Sequence, residues 1–325
     1  MYRIIVDGFG CDHPDQVILG VKKALEEIKD VKIIVTGNQD IIKEHLKDFD
    51  SSNLEIVDSK EIITNEDSPV LSIRSKKDSS LVRGLNILKQ DQADALISCG
   101  NTGAVLCGAS MILKRCENVE RPALASCLPT DIGTLTCLSD CGANVDCRPE
   151  HLFEFARFGS LYMRSVYSIE NPRIGLLSNG SEDKKGNELT KQTFKMLKES
   201  NFNFIGNIEA RDALSGKCDV LVCDGFDGNV LLKSIEGTAK SVVMLMNKFL
   251  QKNAPKDCDL SFVKKANYEL FQKLDFNSLG GAILMGVKKI VIKGHGAANS
   301  ETIVNCIKQA IKMIDGGYIN GMEEK

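Results

Sequence analysis

Clusters of glycine and asparagine close many of the short apolar runs in this chain. They are Cys99-Gly100-Asn101-Thr102-Gly103, Cys141-Gly142-Ala143-Asn144, Ser178-Asn179-Gly180-Ser181, Gly206-Asn207, Asp224-Gly225-Phe226-Asp227-Gly228-Asn229 and Gly294-His295-Gly296. Glycine lets backbone N–H groups approach a ligand, and a following helix adds its positive dipole end. Together they suit an anion such as phosphate. Ligands of open α/β sheets sit outside the carboxyl ends of strands, so loops of this kind are expected to share a cleft. Lys185, beside Gly186 in the loop after a predicted strand, is a candidate anion ligand.

Other chemistries fit less well. Gly8-Phe9-Gly10 follows the first predicted strand, but His13 stands where a dinucleotide fingerprint needs its third glycine. The second strand also ends without an acid for a ribose. Cys137, Cys141, Cys147 and His151 tempt as zinc ligands, yet their spacing lacks the tight knuckles of structural zinc sites. No metal and no cofactor are expected. No G-x-S-x-G elbow occurs, which removes the usual hydrolase nucleophile. The segment Arg74-Ser75-Lys76-Lys77-Asp78-Ser79-Ser80, extended by Arg83 and Lys89, carries five positive charges against one negative. It reads as a solvated helix face or as a site for an acidic partner.

Strands and helices must carry these loops. Arg3–Val6, Lys32–Thr36, Leu54–Val57, Ala95–Cys99, Arg173–Ser178, Val220–Asp224 and Lys289–Lys293 read as strands, and Gln16–Ile28 as an amphipathic helix. Alternation of this kind predicts an α/β fold with a largely parallel sheet. A length of 325 residues suggests two domains or one large one, and the polar stretch Ser168-Ile169-Glu170-Asn171-Pro172 is the best boundary. A net charge of −3, from 41 basic and 44 acidic residues, gives no global field for nucleic acid. The 12 cysteines are spread through apolar runs and read as reduced core thiols of a cytoplasmic protein. The opening Met1-Tyr2-Arg3-Ile4-Ile5-Val6-Asp7 is no signal peptide. The uncharged stretch Ala95–Leu113 reads as strand, turn and buried helix rather than a membrane span. In Lys240–Lys265 an apolar stripe of Val242, Val243, Met246, Phe249 and Leu250 fits core or a dimer interface, with a membrane-surface helix as the alternative.

Taken in order, the motifs carry a resemblance that covers nearly the whole chain. Gly10-Cys11-Asp12-His13, Lys76-Lys77-Asp78-Ser79-Ser80, Ser98 to Ala104, Arg121-Pro122-Ala123 and Gly142-Ala143-Asn144-Val145-Asp146 occupy the first half. Lys185-Gly186-Asn187-Glu188, Cys223-Asp224-Gly225-Phe226, Gly228-Asn229, Gly280-Gly281-Ala282 and Gly294-His295-Gly296 follow in the second. The sequence resembles the phosphate acyltransferases of bacterial phospholipid synthesis, which convert acyl-acyl-carrier-protein and inorganic phosphate to acyl phosphate. It departs from them at Cys11, where a second glycine is usual, at Cys141 and at Ser178-Asn179.

That resemblance implies a two-domain, three-layer αβα fold similar to phosphotransacetylases and isopropylmalate-type dehydrogenases. Residues 1–168 and 289–325 would form the first domain and 169–288 the second, with the active cleft between them. It also implies a homodimer, peripherally associated with the membrane, that takes substrate from acyl carrier protein and hands acyl phosphate to a membrane acyl-phosphate:glycerol-3-phosphate acyltransferase. The runner-up is a phosphotransacetylase-like enzyme acting on acyl-coenzyme A. Phosphate is already a nucleophile, so the protein must supply position and charge. Gly100, Asn101, Thr102 and Gly103, with Asp224, Gly228 and His295, are expected to bind phosphate and substrate. Lys185 would neutralise developing charge, Asn229 donate to the carbonyl oxygen, and His13 or His295 protonate the departing thiolate. Arg74, Lys76 and Lys77 would dock the carrier protein.

Overall fold

The β-branched runs become strands of one mixed sheet in the computed structural model, which describes residues 1–47, 49–254, 259–274 and 279–323. In chain order the strands are β1 (Tyr2–Asp7), β2 (Val31–Gly37), β3 (Leu54–Asp58), β4 (Ala95–Ser98), β5 (Ala123–Pro129), β6 (Leu135–Ser139), β7 (Ile174–Ser178), β8 (Phe204–Glu209), β9 (Val220–Val222), β10 (Ala282–Met285) and β11 (Ile290–Lys293). Across the sheet they lie in the order β3-β2-β1-β4-β11-β10-β5-β6-β9-β7-β8. Pairing is parallel except where β10 meets β11 and β5, and where β5 meets β6. Those three antiparallel contacts reverse the direction of the chain midway. β6, β9, β7 and β8 therefore run opposite to β1 through β4 and β11. Their carboxyl-end loops leave from opposite edges, so the loops do not form the single row that an all-parallel sheet would give.

Each strand sorts its side chains to two faces, as period-two geometry requires. Ile4 and Val6 pack with Val17, Ile18 and Val21 of the helix Pro14–Glu27, while Ile5 faces Leu85 and Leu88 of the helix Ser80–Lys89. In the other half, Val220 and Val222 meet Phe155 and Phe158, and Leu138 and Leu221 meet Leu231 and Leu232. Both faces of the sheet are covered by helices, which makes the three-layer αβα architecture. Each such aliphatic side chain, fully buried, contributes about 1.5–3 kcal/mol, so a charge at Val21 or Leu221 would undo one layer.

The uncharged stretch Ala95–Leu113 divides into β4, the helix Thr102–Gly108 and a π-helical turn at Ala109–Leu113. Among the described residues, no helix is long and apolar enough to cross a membrane. The longest helix among the described residues, Gly225–Asn253, packs against a second helix, Ser261–Leu274. Its apolar stripe is only partly core. Val243 is buried, whereas Val242, Leu245, Met246 and Phe249 are exposed and line an apolar groove with Leu260. Residues 255–258 of the expected Lys240–Lys265 helix lie outside the described residues.

Candidate active site

Where the two strand directions meet, a cavity of about 390 Å³ opens against β5 and β10. Leu124, Cys141, Lys293 and Gly294 are buried in its lining, and Thr102, Asn229, Lys233 and His295 are reachable by solvent. It draws on both halves of the sheet. Thr102 follows β4 and His295 follows β11, while Gly142 follows β6 and Asn229 lies in the helix after β9.

The first half contributes a loop braced from beneath. Ser98 donates its hydroxyl to Asp7 Oδ2 at 2.7 Å and accepts the Gly100 N–H at 3.2 Å. Burial pushes the Asp7 carboxyl up to about 6, against the stabilising bonds from Ser80, Ser98 and the Phe9 N–H. Asn101 caps the helix Thr102–Gly108 by accepting the Ala104 N–H at 2.9 Å, and its amide donates to the carbonyls of Thr64 and Asn65, each at 3.2 Å. Its side chain is thus committed to the loop's shape, and Thr102 is the member of this loop that faces the cavity. Gly103 is required by close packing, because a Cβ there would sit 2.6 Å from Pro69 Cγ.

The second half is organised around one buried carboxylate. Asp140 Oδ1 accepts the N–H groups of Leu124, Gly142 and Ala143 at 3.0, 3.2 and 3.0 Å. Burial raises the Asp140 pKa, and these bonds offset part of that rise. The helix Gly225–Asn253 lands directly on this turn. A Cβ at Gly225 would lie 2.8 Å from Asn144 N, and one at Gly228 only 1.9 Å from Asp140 O. Only glycine permits that approach, and it carries Asn229 over Gly142, with Asn229 Cβ 3.8 Å from a Cβ built on Gly142. Asp224 caps the same helix through the Asp227 N–H at 2.8 Å. Asp224 and Gly228 therefore shape the site without lining the cavity.

His295 completes the wall. Its Nδ1 accepts the Ala297 N–H at 3.1 Å, so the neutral ring carries its proton on Nε2. Burial, then the charge of Lys233, lowers its pKa and favours that neutral form. Lys233 itself is paired with Glu236 at 3.1 Å. The Asp12 N–H donates to Gly296 O at 3.1 Å, which ties the first loop to this one.

Several expected residues stand apart from the cavity. His13 is exposed at the start of the helix Pro14–Glu27. Lys185 is exposed in the loop after β7, on the sheet edge from which the loops after β6 and β9 leave. Among the basic residues, Arg74 and Lys77 are exposed, but Lys76 donates to Asp67 at 2.7 Å and to Ile62 O at 2.8 Å. Cys137 lies in β6, the Cys147 thiol donates to Asn144 O at 3.5 Å, and His151 Nδ1 accepts the Arg148 N–H at 3.1 Å. Asp7, Asp140, Lys233, Glu236 and Lys293 were not among the expected site residues. Asp7 and Asp140 did carry a signal, an acid at a strand end just before a glycine loop.

The family model described as fatty acid synthesis protein matches residues 2–320. A phosphate acyltransferase of Clostridium perfringens is 42% identical over 99% of this chain and 96% of its own length. Another from Alkaliphilus oremlandii is 43% identical over the same shares. Among solved structures, a phosphotransacetylase from Streptococcus pyogenes superposes with a TM-score of 0.61 at 15% identity, covering 96% of this chain and 94% of that one. A branched-chain phosphotransacylase from Enterococcus faecalis gives 0.60 at 15% identity, covering 97% and 100%. These two establish likeness of fold. Matched along almost all of its length at this identity, the chain belongs to the phosphate acyltransferase family.

Proposed function

We propose that this acyltransferase moves an acyl group from acyl-acyl-carrier-protein to inorganic phosphate, and so supplies acyl phosphate for glycerophospholipid synthesis. The observation that carries the reading is a cavity in which Thr102, Asn229 and His295 meet from both strand directions. A phosphate oxygen attacks the thioester carbonyl, an oxyanion forms, and the C–S bond breaks to release thiolate, which takes up a proton. Asn229 is the neutral donor to the oxyanion, a role worth about 2.7–4 kcal/mol. Thr102 holds phosphate through its hydroxyl, and His295 Nε2–H faces the leaving sulfur. Lys185 and His13 are exposed and outside the cavity lining, so neither is given a step in this reaction. No protein nucleophile is required. The cavity thiol, Cys141, has its pKa pushed well up by burial, which keeps it protonated and inert.

The expected division into residues 1–168 with 289–325 and residues 169–288 runs through this cleft, although Gly142, on the Asn229 side of the cavity, belongs by number to the first. Thr102 and His295 come from the first and Asn229 and Gly281 from the second. The exposed row of Val242, Leu245, Met246 and Phe249 supports a homodimer with peripheral membrane contact. A downstream membrane acyl-phosphate:glycerol-3-phosphate acyltransferase then consumes the product. The experiment is incubation of the protein with labelled phosphate and either acyl-carrier-protein or coenzyme A thioester. Phosphate-dependent acyl phosphate from the carrier-protein thioester is expected. Turnover confined to the coenzyme A thioester would replace this reading with a phosphotransacetylase-like one.

A further inference from the structure

Lys293 ends β11 with only 8% of its surface exposed, and it lines the cavity between Ala282 and Gly294. Its ammonium lies between the ends of β4 and β11, donating to Cys99 O at 3.4 Å and to Gly294 O. Both partners are neutral. Lys289, just before the same strand, is paired with Asp91, whereas Lys293 makes no ion pair among the described residues. Asp7 acts on it only from a distance, with its own oxygens taken by Ser98 and the Phe9 N–H.

A buried ammonium without a counter-ion is costly, and natural chains rarely keep one unless an anion completes it. The other cation of the cavity, Lys233, already has Glu236. Lys293 is therefore the cation of this cavity that makes no ion pair among the described residues, with Asp7 attracting it only from a distance. The same cavity offers donors that suit a tetrahedral oxyanion, the Thr102 hydroxyl and the Nε2–H of His295. Burial lowers the Lys293 pKa, and a bound anion would reverse that shift.

We infer that Lys293 is a catalytic residue whose ammonium contacts inorganic phosphate directly and holds it for attack. The assignment rests on the acyl-to-phosphate reading above, but phosphate binding can be measured with no acyl donor present. Lys293→Met keeps the length and apolar stem while removing the charge. It should weaken phosphate binding in calorimetry by about 10²-fold, the loss expected for a charged hydrogen bond. The KM for phosphate should rise by a similar factor while the KM for the acyl donor stays put. A lysine that only supported the fold would lower melting temperature and affect both substrates alike.

A second measurement uses the unaltered chain. With lysine labelled at ¹⁵Nζ, the Lys293 signal should shift on phosphate addition, in step with calorimetric saturation. That reading survives even if Lys293→Met fails to fold. Phosphate binding by Lys293→Met equal to the unaltered protein, or a Lys293 signal indifferent to saturating phosphate, overturns the assignment. Phosphate bound through Lys293 in a protein that transfers no acyl group would sink the acyl-transfer reading and leave the anion site standing.

Discussion

Asp140 Oδ2 accepts from Asn144 twice, from its backbone N–H at 2.7 Å and from its side-chain amide at 2.8 Å. The same amide also donates to Pro122 O at 2.8 Å, so one asparagine ties the carboxylate to the entry of β5. This pair makes the turn after β6 rigid. Asn229 is positioned only because the helix beneath it rests on that turn. The chemistry of the cavity thus depends on a carboxylate that does not line it.

Asp140→Ala should consequently cost more than the loss of a surface acid. It strands the N–H groups of Leu124, Gly142, Ala143 and Asn144 together, and a buried unsatisfied donor costs about 1–3 kcal/mol. A loss of at least about 3 kcal/mol in urea unfolding is expected. An Asp140→Ala protein as stable as its parent would show that water replaces the carboxylate and that the turn needs no such anchor.

Gly228 and Asn229 are neighbours whose variants should separate stability from activity. A methyl group at Gly228 meets Asp140 O at 1.9 Å, so Gly228→Ala must lift the helix from its seat. Overpacking of this kind costs about 1–3 kcal/mol, and turnover should fall with it. Asn229→Ala should leave the melting temperature unchanged while lowering kcat by about 10²–10³. Equal melting losses in both variants would reduce Asn229 to a packing residue.

Much of this framework was legible in the sequence, and the missing parts have physical reasons. β1, β2 and β11 are rich in Ile and Val and bounded by turn residues, so pattern finds them. β5, Ala-Leu-Ala-Ser-Cys-Leu-Pro, has no β-branched residue, and β10 is only four residues after two glycines with a single one, Ile283, so neither carries a clear strand signal. They are strands because their neighbours are. The reversal they cause was invisible for the same reason, and it decides which loops meet. Thr102, Asn229 and His295 could be read from glycine loops. Lys293 could not, because a lysine at the end of an apolar run looks like the edge of a strand.

Asp7 gives a pH test of the brace under the Gly100 turn. Its native pKa of about 6 exceeds the ordinary carboxylate value of 3.8. The native state therefore holds this proton longer than the unfolded chain does, and stability falls as pH rises between those values. The shift amounts to roughly 3 kcal/mol, present below pH 4 and lost by about pH 6. Asp7→Asn should remove that term. Unfolding measured at pH 4 and pH 7 should show the variant gaining on its parent at the higher pH. A difference independent of pH would mean that Asp7 ionises normally.

The neutral His295 ring makes its donor, rather than its charge, the expected working part. Glutamine keeps an N–H near the Nε2 position and alanine does not. His295→Gln should thus retain several-fold more kcat than His295→Ala, which should fall by about 10²-fold, the lower range for loss of an acid or donor. Identical losses in the two variants, measured at saturating phosphate, would assign His295 to loop geometry through its bond with Ala297.

The basic segment divides into residues with different jobs, which a single neutralisation experiment would blur. Arg74 and Lys77 are exposed, so their charges reach solvent and can steer an acidic partner. Lys76 is occupied: its ammonium clamps Asp67 at 2.7 Å and Ile62 O at 2.8 Å, holding the chain from 62 to 67 against the helix Pro69–Ser75. That same chain supplies the Thr64 and Asn65 carbonyls bonded by Asn101. Arg74→Gln with Lys77→Gln should therefore raise the KM for carrier protein and flatten its dependence on salt, with kcat unchanged, because steering acts on encounter. Lys76→Gln should instead loosen the Gly100–Gly103 loop and raise the KM for phosphate. Salt titrations of both variants separate the cases. A double variant whose carrier-protein KM keeps its full salt dependence would place the docking surface elsewhere.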